Sequence, residues 1–495
     1  MKSIRFLSLL LLLNLFAAGG YAADQPVKKE IVVSGVVTDT QKQPVAGVVV
    51  TDGVNFTQTD DKGRYQLVSD PAQSKFVYFS VPADYKTNVE NALPVGYYAR
   101  IDAKKKKNRC DFSLVKREQP VHDFTFIAIS DPQAKNEEQL DRFASETVVD
   151  LKETLKQLSS QEVYGMVLGD IVWDVMPLYD SYKKVISDLD LTMYHVIGNH
   201  DFDQQYTALS LATNKEEYGE SVFGDHFGPT DYSLNVGKVH IISMKDIDYK
   251  GKKKYTEQFT PEQLEWLKKD LSYVKPGTTV LLNLHAPTAN STGRGGANAR
   301  NAEQLFEILK DYKTHIFVGH THFYENRIVT PVIYEHNIGA ACGAWWAGYV
   351  NRCGAPNGYL VVNVTGDDIS WQYKATGRPF DYQFRVYKPG EFQSQPKYLV
   401  VNVWDYDPAW KLSYYEDGIE KPGVMEAFDD EDQDYITMKE GKATGYHTSH
   451  LFRVRPTDKA KSVKIVATNR FGQSFTQTVD LKWDQCKNLR GKFKN

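Results

Sequence analysis

What most restricts the fold of this chain is a recurring pattern between Phe124 and Val318. Short apolar runs alternate there with amphipathic segments, the pattern of an α/β domain. Strands are expected at Phe124 to Ile129, Val163 to Leu168, Met193 to Ile197, Val239 to Met244, Thr279 to Leu284 and Ile316 to Val318. Helices are expected at about Glu137 to Leu158, around Leu178 to Leu189, at Pro261 to Leu271 and at Ala302 to Leu309. Pro261 suits a first helical turn, where no backbone N–H is needed.

Five of these strands run directly into metal-type donors. The first ends in Asp131-Pro132-Gln133 and the second in Gly169-Asp170, with Asp174 four residues on. The third ends in Gly198-Asn199-His200-Asp201, a later one in His285-Ala286-Pro287, and the last in Gly319-His320-Thr321-His322. Open α/β sheets place their sites at the carboxyl ends of strands. Asp, Asn and His without Cys favour manganese, iron or zinc in a mixed nitrogen and oxygen site. Any one of these pieces taken alone reads better as an ordinary turn or a structural histidine. Five in chain order, each behind an apolar strand, point to one site.

The series resembles the calcineurin-like metallophosphoesterase superfamily. Phe227-Gly228-Pro229-Thr230-Asp231-Tyr232-Ser233, Trp345-Trp346, Val401-Asn402-Val403-Trp404-Asp405-Tyr406-Asp407 and His450-Leu451-Phe452-Arg453 resemble its exported bacterial members more narrowly. Those carry an N-terminal β-sandwich and a dedicated C-terminal domain. The resemblance implies an α/β fold: a metallophosphoesterase-type β-sandwich flanked by helices, with an N-terminal Ig-like β-sandwich and a C-terminal β-rich domain. It implies two divalent or trivalent metal ions, Mn, Fe or Zn. Asp131, Gln133, Asp170 and His322 would hold the first, and Asp170, Asn199, His285 and His320 the second, with Asp170 bridging. The implied reaction is hydrolysis of a phosphomonoester or phosphodiester by in-line attack of a metal-bridging hydroxide. His200 would protonate the leaving oxygen or stabilise phosphoryl charge, Asp201 would orient it, and Asp174 would brace the donors. The chain departs from the commonest family pattern at Gln133, where His is usual. A neutral amide oxygen is a harder and weaker donor than imidazole, which tilts preference toward manganese.

The flanks read differently. From Ile31 to about Leu114 short apolar runs alternate with turn signals such as Pro44-Val45-Ala46-Gly47 and Asp61-Lys62-Gly63, as in a small β-sandwich. Roughly Ile31 to Ser80 resembles carboxypeptidase regulatory-like or immunoglobulin-like modules, which implies a spacer or docking role without chemistry. Lys104 to Lys107 reads as a solvated hairpin. After Arg378 the chain is β-rich again, with strands expected at Lys397 to Val403 and Ser462 to Thr468. The run Asp429 to Asp434 lacks the glycine and terminal glutamate of a calcium loop and reads as a solvated acidic loop.

Lys2 and Arg5, an apolar core from Phe6 to Phe16 and small residues in Gly20-Tyr21-Ala22 form a secretory leader cleaved near Ala22. The expected address is periplasmic or secreted, with no transmembrane segment in the mature chain. The expected division is residues 1–22 leader, 23–118 N-terminal sandwich, 119–376 catalytic domain and 377–495 C-terminal domain. Cys110, Cys342, Cys353 and Cys486 leave two readings open, disulfides in an oxidising compartment or buried free thiols. The net charge of -4 lacks the basic surplus of a nucleic-acid binder.

The substrate is less constrained. Trp345, Trp346 and Tyr349 read either as an aromatic wall for an organic group or as core residues. Arg294, in a Gly-rich loop after His285, and Arg378 are further candidates to meet a phosphate. The expected substrate is a phosphorylated small molecule, lipid or glycan. Monoester or diester stays open, as does the oligomeric state. The rival reading is a non-catalytic exported binding or adhesion protein with a degenerate site. A 5′-nucleotidase type would need an adenine-stacking C-terminal domain, which this C-terminal region does not resemble.

Overall fold

The computed structural model describes residues 30–158, 162–203, 215–251, 253–289 and 298–481. The expected leader, Arg294 and Cys486 lie outside the described residues. The chain is strand-rich α/β. Among the described residues, no helix is long and apolar enough to cross a membrane.

Two sheets form the centre. One runs in the order Thr192–Val196, Val163–Leu168, Asp123–Ile129, Gly358–Thr365, Asp368–Ala375. Its first three strands are parallel, and its last two join antiparallel. The other runs Tyr232–Val236, Val239–Ser243, Thr279–Asn283, Lys313–Val318, Ile333–Asn337, Glu325–Thr330. Its four inner strands are parallel and its two edges antiparallel.

Successive side chains of a strand point to opposite faces, and here both faces are covered. Phe126 and Ala128 enter a core that also holds Met166, Leu168, Ile241, Leu281 and Phe317. The rings of Phe126 and Phe317 are 6 Å apart or less, at 5.4 Å between centroids. Ile127 and Ile129 point the other way, onto Leu140, Phe143, Leu151 and Tyr182 of the helical layer. Ile242, Val280, Leu282 and Ile316 meet Leu264, Leu267, Leu305 and Leu309 on the far side. Two-sided burial explains why these strands read as unbroken apolar runs. Each such large side chain contributes about 1.5–3 kcal/mol on burial.

The helices follow their signals, with one difference. Helix Pro261–Leu271 begins with Pro261 and a reciprocal cap between Thr260 and Gln263. The segment expected as one helix from Glu137 is α-helical over Glu137–Arg142 and Val149–Gln157, with a π-helical stretch Phe143–Val148 between. The wider turn keeps Phe143 and both Thr147 and Val148 buried on one side. The hairpin Ile247–Gly251 and Lys254–Glu257 and the helix Lys215–Phe227 were not anticipated.

The N-terminal region folds into a five-stranded sheet around Ile31–Asp39, a four-stranded sheet around Val49–Thr51 and a small hairpin of Asn88–Glu90 with Leu93–Val95. Its apolar residues Val33, Val77, Phe79 and Leu114 belong to the same continuous core as Phe124 and Tyr232. Backbone bonds cross the junction: Asn235 N–H donates to the Val81 carbonyl at 2.8 Å and Met193 N–H to that of Ala92 at 2.7 Å. Lys104 to Lys107 is exposed as expected. It is not a hairpin, because Tyr98–Arg100 and Lys107–Arg109 lie in different sheets.

The C-terminal region packs two four-stranded sheets around Val401, Val403, Trp410, Ile465 and Phe475. The acidic run is no solvated loop. Asp429, Asp430 and Glu431 fall in strand Glu426–Glu431. Asp432 is fully buried and caps helix Gln433–Met438 by accepting from Asp434 and Tyr435 N–H. Its other oxygen accepts from Tyr387 Oη and Asn402 Nδ2, each at 2.8 Å. A buried cap and two specific donors outweigh the preference of aspartate for water. Cys110, Cys342 and Cys353 are buried free thiols.

Candidate metal centre

The carboxyl ends of both sheets converge on one cleft. Asp131, Asp170 and Asn199 follow strands of the first sheet, and His285, His320 and His322 follow strands of the second. One ligand atom each from Asp170, His285 and His320 lies within 4.8 Å of the others. His285 Nε2 is 2.9 Å from Asn199 Oδ1, 3.1 Å from His320 Nδ1 and 3.4 Å from Asp170 Oδ1. Gln133 Nε2 donates to Asp170 Oδ2 at 3.0 Å, and His322 Nε2 is 3.8 Å from Asp131 Oδ1.

Three observations fit this set to cations. The first is tautomeric. His285 Nδ1 donates to the Leu168 carbonyl at 2.8 Å, and His322 Nδ1 donates to the Gly343 carbonyl. Both therefore turn an Nε2 lone pair into the cleft, the usual orientation of ligating histidines. His285 Nε2 then faces the Asn199 oxygen, acceptor against acceptor, which a cation between them reconciles. The second is an orphan: Asp131 Oδ1 is buried without a hydrogen-bond partner, a state that otherwise costs free energy. The third is charge. Burial, reinforced by the Asp170 carboxylate, pushes Asp131 up to about 7. Burial likewise pushes Asp170 up to about 6, and burial, with the charge of His320, holds His285 well below the usual imidazole range. Crowded carboxylates beside neutral imidazoles form a donor set that cations neutralise.

The backbone is strained where the donors sit. Asp131, Gln133, Asp170, Asp174, His320 and His322 all have φ between 40° and 67°. Left-handed backbone costs a side-chain-bearing residue roughly 1–2 kcal/mol, and such strain gathers at functional sites. Close approach is also required. A Cβ on Gly198 would lie 2.2 Å from the Asp170 nitrogen and 2.3 Å from its Oδ1. Gly198→Ala is expected to displace Asp170, with metal content and turnover lost together while the circular dichroism spectrum is kept.

His200 stands at the edge of the cluster. Its Nδ1 is 2.9 Å from Asp174 Oδ1, and Asp174 Oδ2 accepts from Lys253 Nζ at 3.0 Å. Burial opposes its charge, but the carboxylates of Asp170 and Asp174 prevail and hold His200 at about 9. Asp201 does not touch the imidazole, contrary to the orienting role expected for it. It is fully buried and accepts from Gly198 N–H at 2.9 Å, Ile171 N–H at 3.1 Å and Tyr179 Oη at 2.9 Å. It ties two donor loops together, and the contact with His200 belongs to Asp174.

Trp345 lines the cleft of about 250 Å³ that holds Gln133, Asp170, Asn199 and His200. Trp346 does not. It is buried, and its Nε1 donates to the Pro132 carbonyl at 2.9 Å. Tyr349 and Arg378 line a separate groove of about 1070 Å³ between the helical layer and the C-terminal region. Tyr255, Glu257, Arg352 and Tyr446 went unrecognised in the sequence. Tyr255, Arg352 and Tyr446 line the metal-donor cleft, and Glu257 Oε1 is 3.4 Å from His320 Nε2. Only Arg352 had a local signal, its place just beyond the Trp345-Trp346 pair.

Donors of this kind at the strand ends of a two-sheet sandwich, together with the family match over residues 124–324, make the chain a metal-dependent phosphoric ester hydrolase. Within that class the chain belongs to the calcineurin-like phosphoesterases. The family model for calcineurin-like phosphoesterase matches residues 124–324. Models for the N terminal and the C terminal of calcineurin-like phosphoesterase match residues 31–117 and 335–475. The superfamily read from the motif series is thus borne out, together with its N-terminal and C-terminal companion regions.

Among solved structures the chain is similar to a dimetal phosphatase from Danio rerio, at 15% identity and a TM-score of 0.36, covering 51% of this chain and 96% of that one. It is also similar to a 5′-nucleotidase from Candida albicans SC5314, at 11% identity and a TM-score of 0.31, covering 52% of each chain. No curated protein matches the chain.

Proposed function

We propose that this chain is an exported phosphoesterase that hydrolyses a phosphomonoester or phosphodiester. In this reading Asp131, Gln133, Asp170 and His322 hold one metal ion and Asp170, Asn199, His285 and His320 a second, with Asp170 shared. The division is a leader at residues 1–22, then 23–118, 119–376 and 377–495. When bound, such a metal pair polarises phosphoryl oxygens and activates water. The remaining work falls to this chain's own side chains. His200 carries a proton at the rim of the cluster and donates it to the leaving oxygen. Asp174 holds the ring by Nδ1, which leaves Nε2–H for the substrate. Glu257 fixes His320 in the same way, through the nitrogen turned away from His285. Trp173, with its ring 5.1 Å from His200 and 6.2 Å from Trp345, walls the leaving-group side.

What supports this reading is the gathering of the donors beside His200, which Asp174 holds by Nδ1 and whose pKa the neighbouring carboxylates raise. A degenerate binding protein has no need to keep either. The export address suits a lipid head group, a sugar phosphate, a nucleotide or a glycan phosphodiester. The test is turnover of p-nitrophenyl phosphate and bis-p-nitrophenyl phosphate by the purified mature chain, with manganese and with chelator. Manganese-dependent release of nitrophenol, abolished by chelator, is expected, and the preferred ester assigns the substrate class. No release from either ester, in protein that binds no metal, would return the chain to the binding-protein reading.

A further inference from the structure

Arg352 lies over two aromatic rings in the lining of the metal-donor cleft. Its guanidinium carbon is 4.4 Å from the centroid of Trp345 and 4.4 Å from that of Tyr446. All three residues line the cleft that contains Asp170, Asn199 and His200. The two rings come from different parts of the chain. Trp345 follows the last donor strand, takes the left-handed backbone at φ 57°, and lies 4.8 Å from the His322 ring. Tyr446 belongs to the C-terminal region, at the start of strand His447–Val454.

The loop carrying Tyr446 is built with care. One oxygen of Glu431 accepts from Thr444 N–H at 2.6 Å, Thr444 Oγ1 at 2.7 Å, Gly445 N–H and Tyr446 N–H at 3.2 Å. The Tyr446 ring also packs edge-on against Tyr435, at 6.1 Å. The Arg352 main chain is tied to the donor turn, its backbone N–H donating to the carbonyl of His322 at 3.1 Å.

Contact with two rings restrains the guanidinium and limits the orientations its planar fork of N–H donors can take. That fork matches two oxygens of a phosphate group and takes them as a pair of charge-assisted bonds. We propose that Arg352 grips non-bridging oxygens of the substrate's phosphate, and that Tyr446 of the C-terminal region is the positioning residue that keeps it there. The C-terminal domain thereby completes the substrate pocket. This deepens the phosphoesterase reading and rests on it for the identity of the ester.

The test separates the two claims. Inorganic phosphate is titrated calorimetrically into the manganese-loaded mature chain, and ester kinetics are measured on the same samples. Arg352→Ala is expected to weaken phosphate binding at least tenfold and to raise KM for the ester similarly, with bound manganese unchanged by elemental analysis. Arg352→Lys keeps the charge but not the fork, and is expected to recover part of that loss. Tyr446→Phe keeps the ring and is expected to recover most of the loss seen in Tyr446→Ala. Tyr446→Ala removes one of the two rings against the guanidinium and is expected to weaken phosphate binding several-fold, even if Arg352→Ala proves insoluble. Unchanged phosphate affinity in Arg352→Ala, in Tyr446→Ala should Arg352→Ala not fold, or no phosphate binding by the parent protein, would overturn the clamp. A parent protein that binds phosphate through Arg352 and hydrolyses no ester would refute the proposed activity and leave the clamp standing.

Discussion

Replacing Asp170 with asparagine is expected to lower turnover by about a thousandfold or more, a barrier increase of about 4 kcal/mol. The amide keeps the shape and loses the charge. Asp170 is fully buried and meets the other donors from every side. Gln133 donates to it at 3.0 Å, the His200 N–H at 2.8 Å, and His285 Nε2 lies 3.4 Å away. Two cations close together need an anion between them to limit their repulsion, and among the described residues neither Asp131 nor Asp201 takes that position. Asp131 lies toward His322, and Asp201 is occupied by backbone N–H groups. The checks are manganese-dependent ester turnover and metal content by elemental analysis. Normal metal content with turnover within tenfold of the parent would refute a bridging role. Thermal unfolding should change little in the metal-free protein, since an amide relieves the crowding of buried carboxylates.

The second large effect is expected far from the metals, at Asp405. This carboxylate is buried, and its Oδ1 accepts from Asn326 Nδ2 at 2.6 Å, Tyr324 Oη at 2.9 Å and Trp371 Nε1 at 3.1 Å. Tyr324 and Asn326 follow the His320-Thr321-His322 turn directly, and Trp371 lies in the outermost strand of the first sheet. Asp405 thus pins the C-terminal region to the chain that presents two metal donors. Asp407 adds a bond from Tyr334 Oη at 3.0 Å and an ion pair with Arg470 at 2.6 Å. Removing the Asp405 carboxylate strands three buried donors at about 1–3 kcal/mol each. Asp405→Ala is therefore expected to destabilise the chain by about 3–5 kcal/mol, read as a lower urea midpoint at unchanged slope. Asp405→Asn retains an acceptor oxygen and should cost much less. Equal losses for the two variants would show that the hydrogen-bond hub does not carry the effect.

These two residues also show how differently parts of the molecule could be read. Asp170 was legible because its signal is local: an apolar strand, a glycine, then the aspartate, repeated in kind at four other strand ends. Strands such as Val163–Leu168 and Ser462–Thr468 and helices such as Pro261–Leu271 and Ala302–Leu309 were legible for the same reason, since period and caps lie within the segment. Asp405 stood in a motif noted only for resemblance. Its partners lie 34 to 81 residues away, and nothing near it announces them. The acidic run failed for a related reason. Asp429 to Asp434 looks solvated by composition, but Asn402, Tyr387 and the Tyr446 loop supply donors that bury two of its carboxylates.

The sequence alone determined the class of the fold, most of the strands that carry the donors and which side chains stand at their carboxyl ends. Strand period, turn chemistry and donor type are properties of a few adjacent residues, and burial on both faces leaves its mark as an unbroken apolar run. Only the tertiary structure decided which of those side chains meet, and what surrounds them. It moved the support of His200 from Asp201 to Asp174, sent Tyr349 and Arg378 to another groove, and brought Glu257, Arg352 and Tyr446 to the cleft. Those outcomes depend on how two sheets, a hairpin and a C-terminal domain pack. Packing acts between residues far apart in the chain, through contacts of a few ångströms that leave no trace in local pattern.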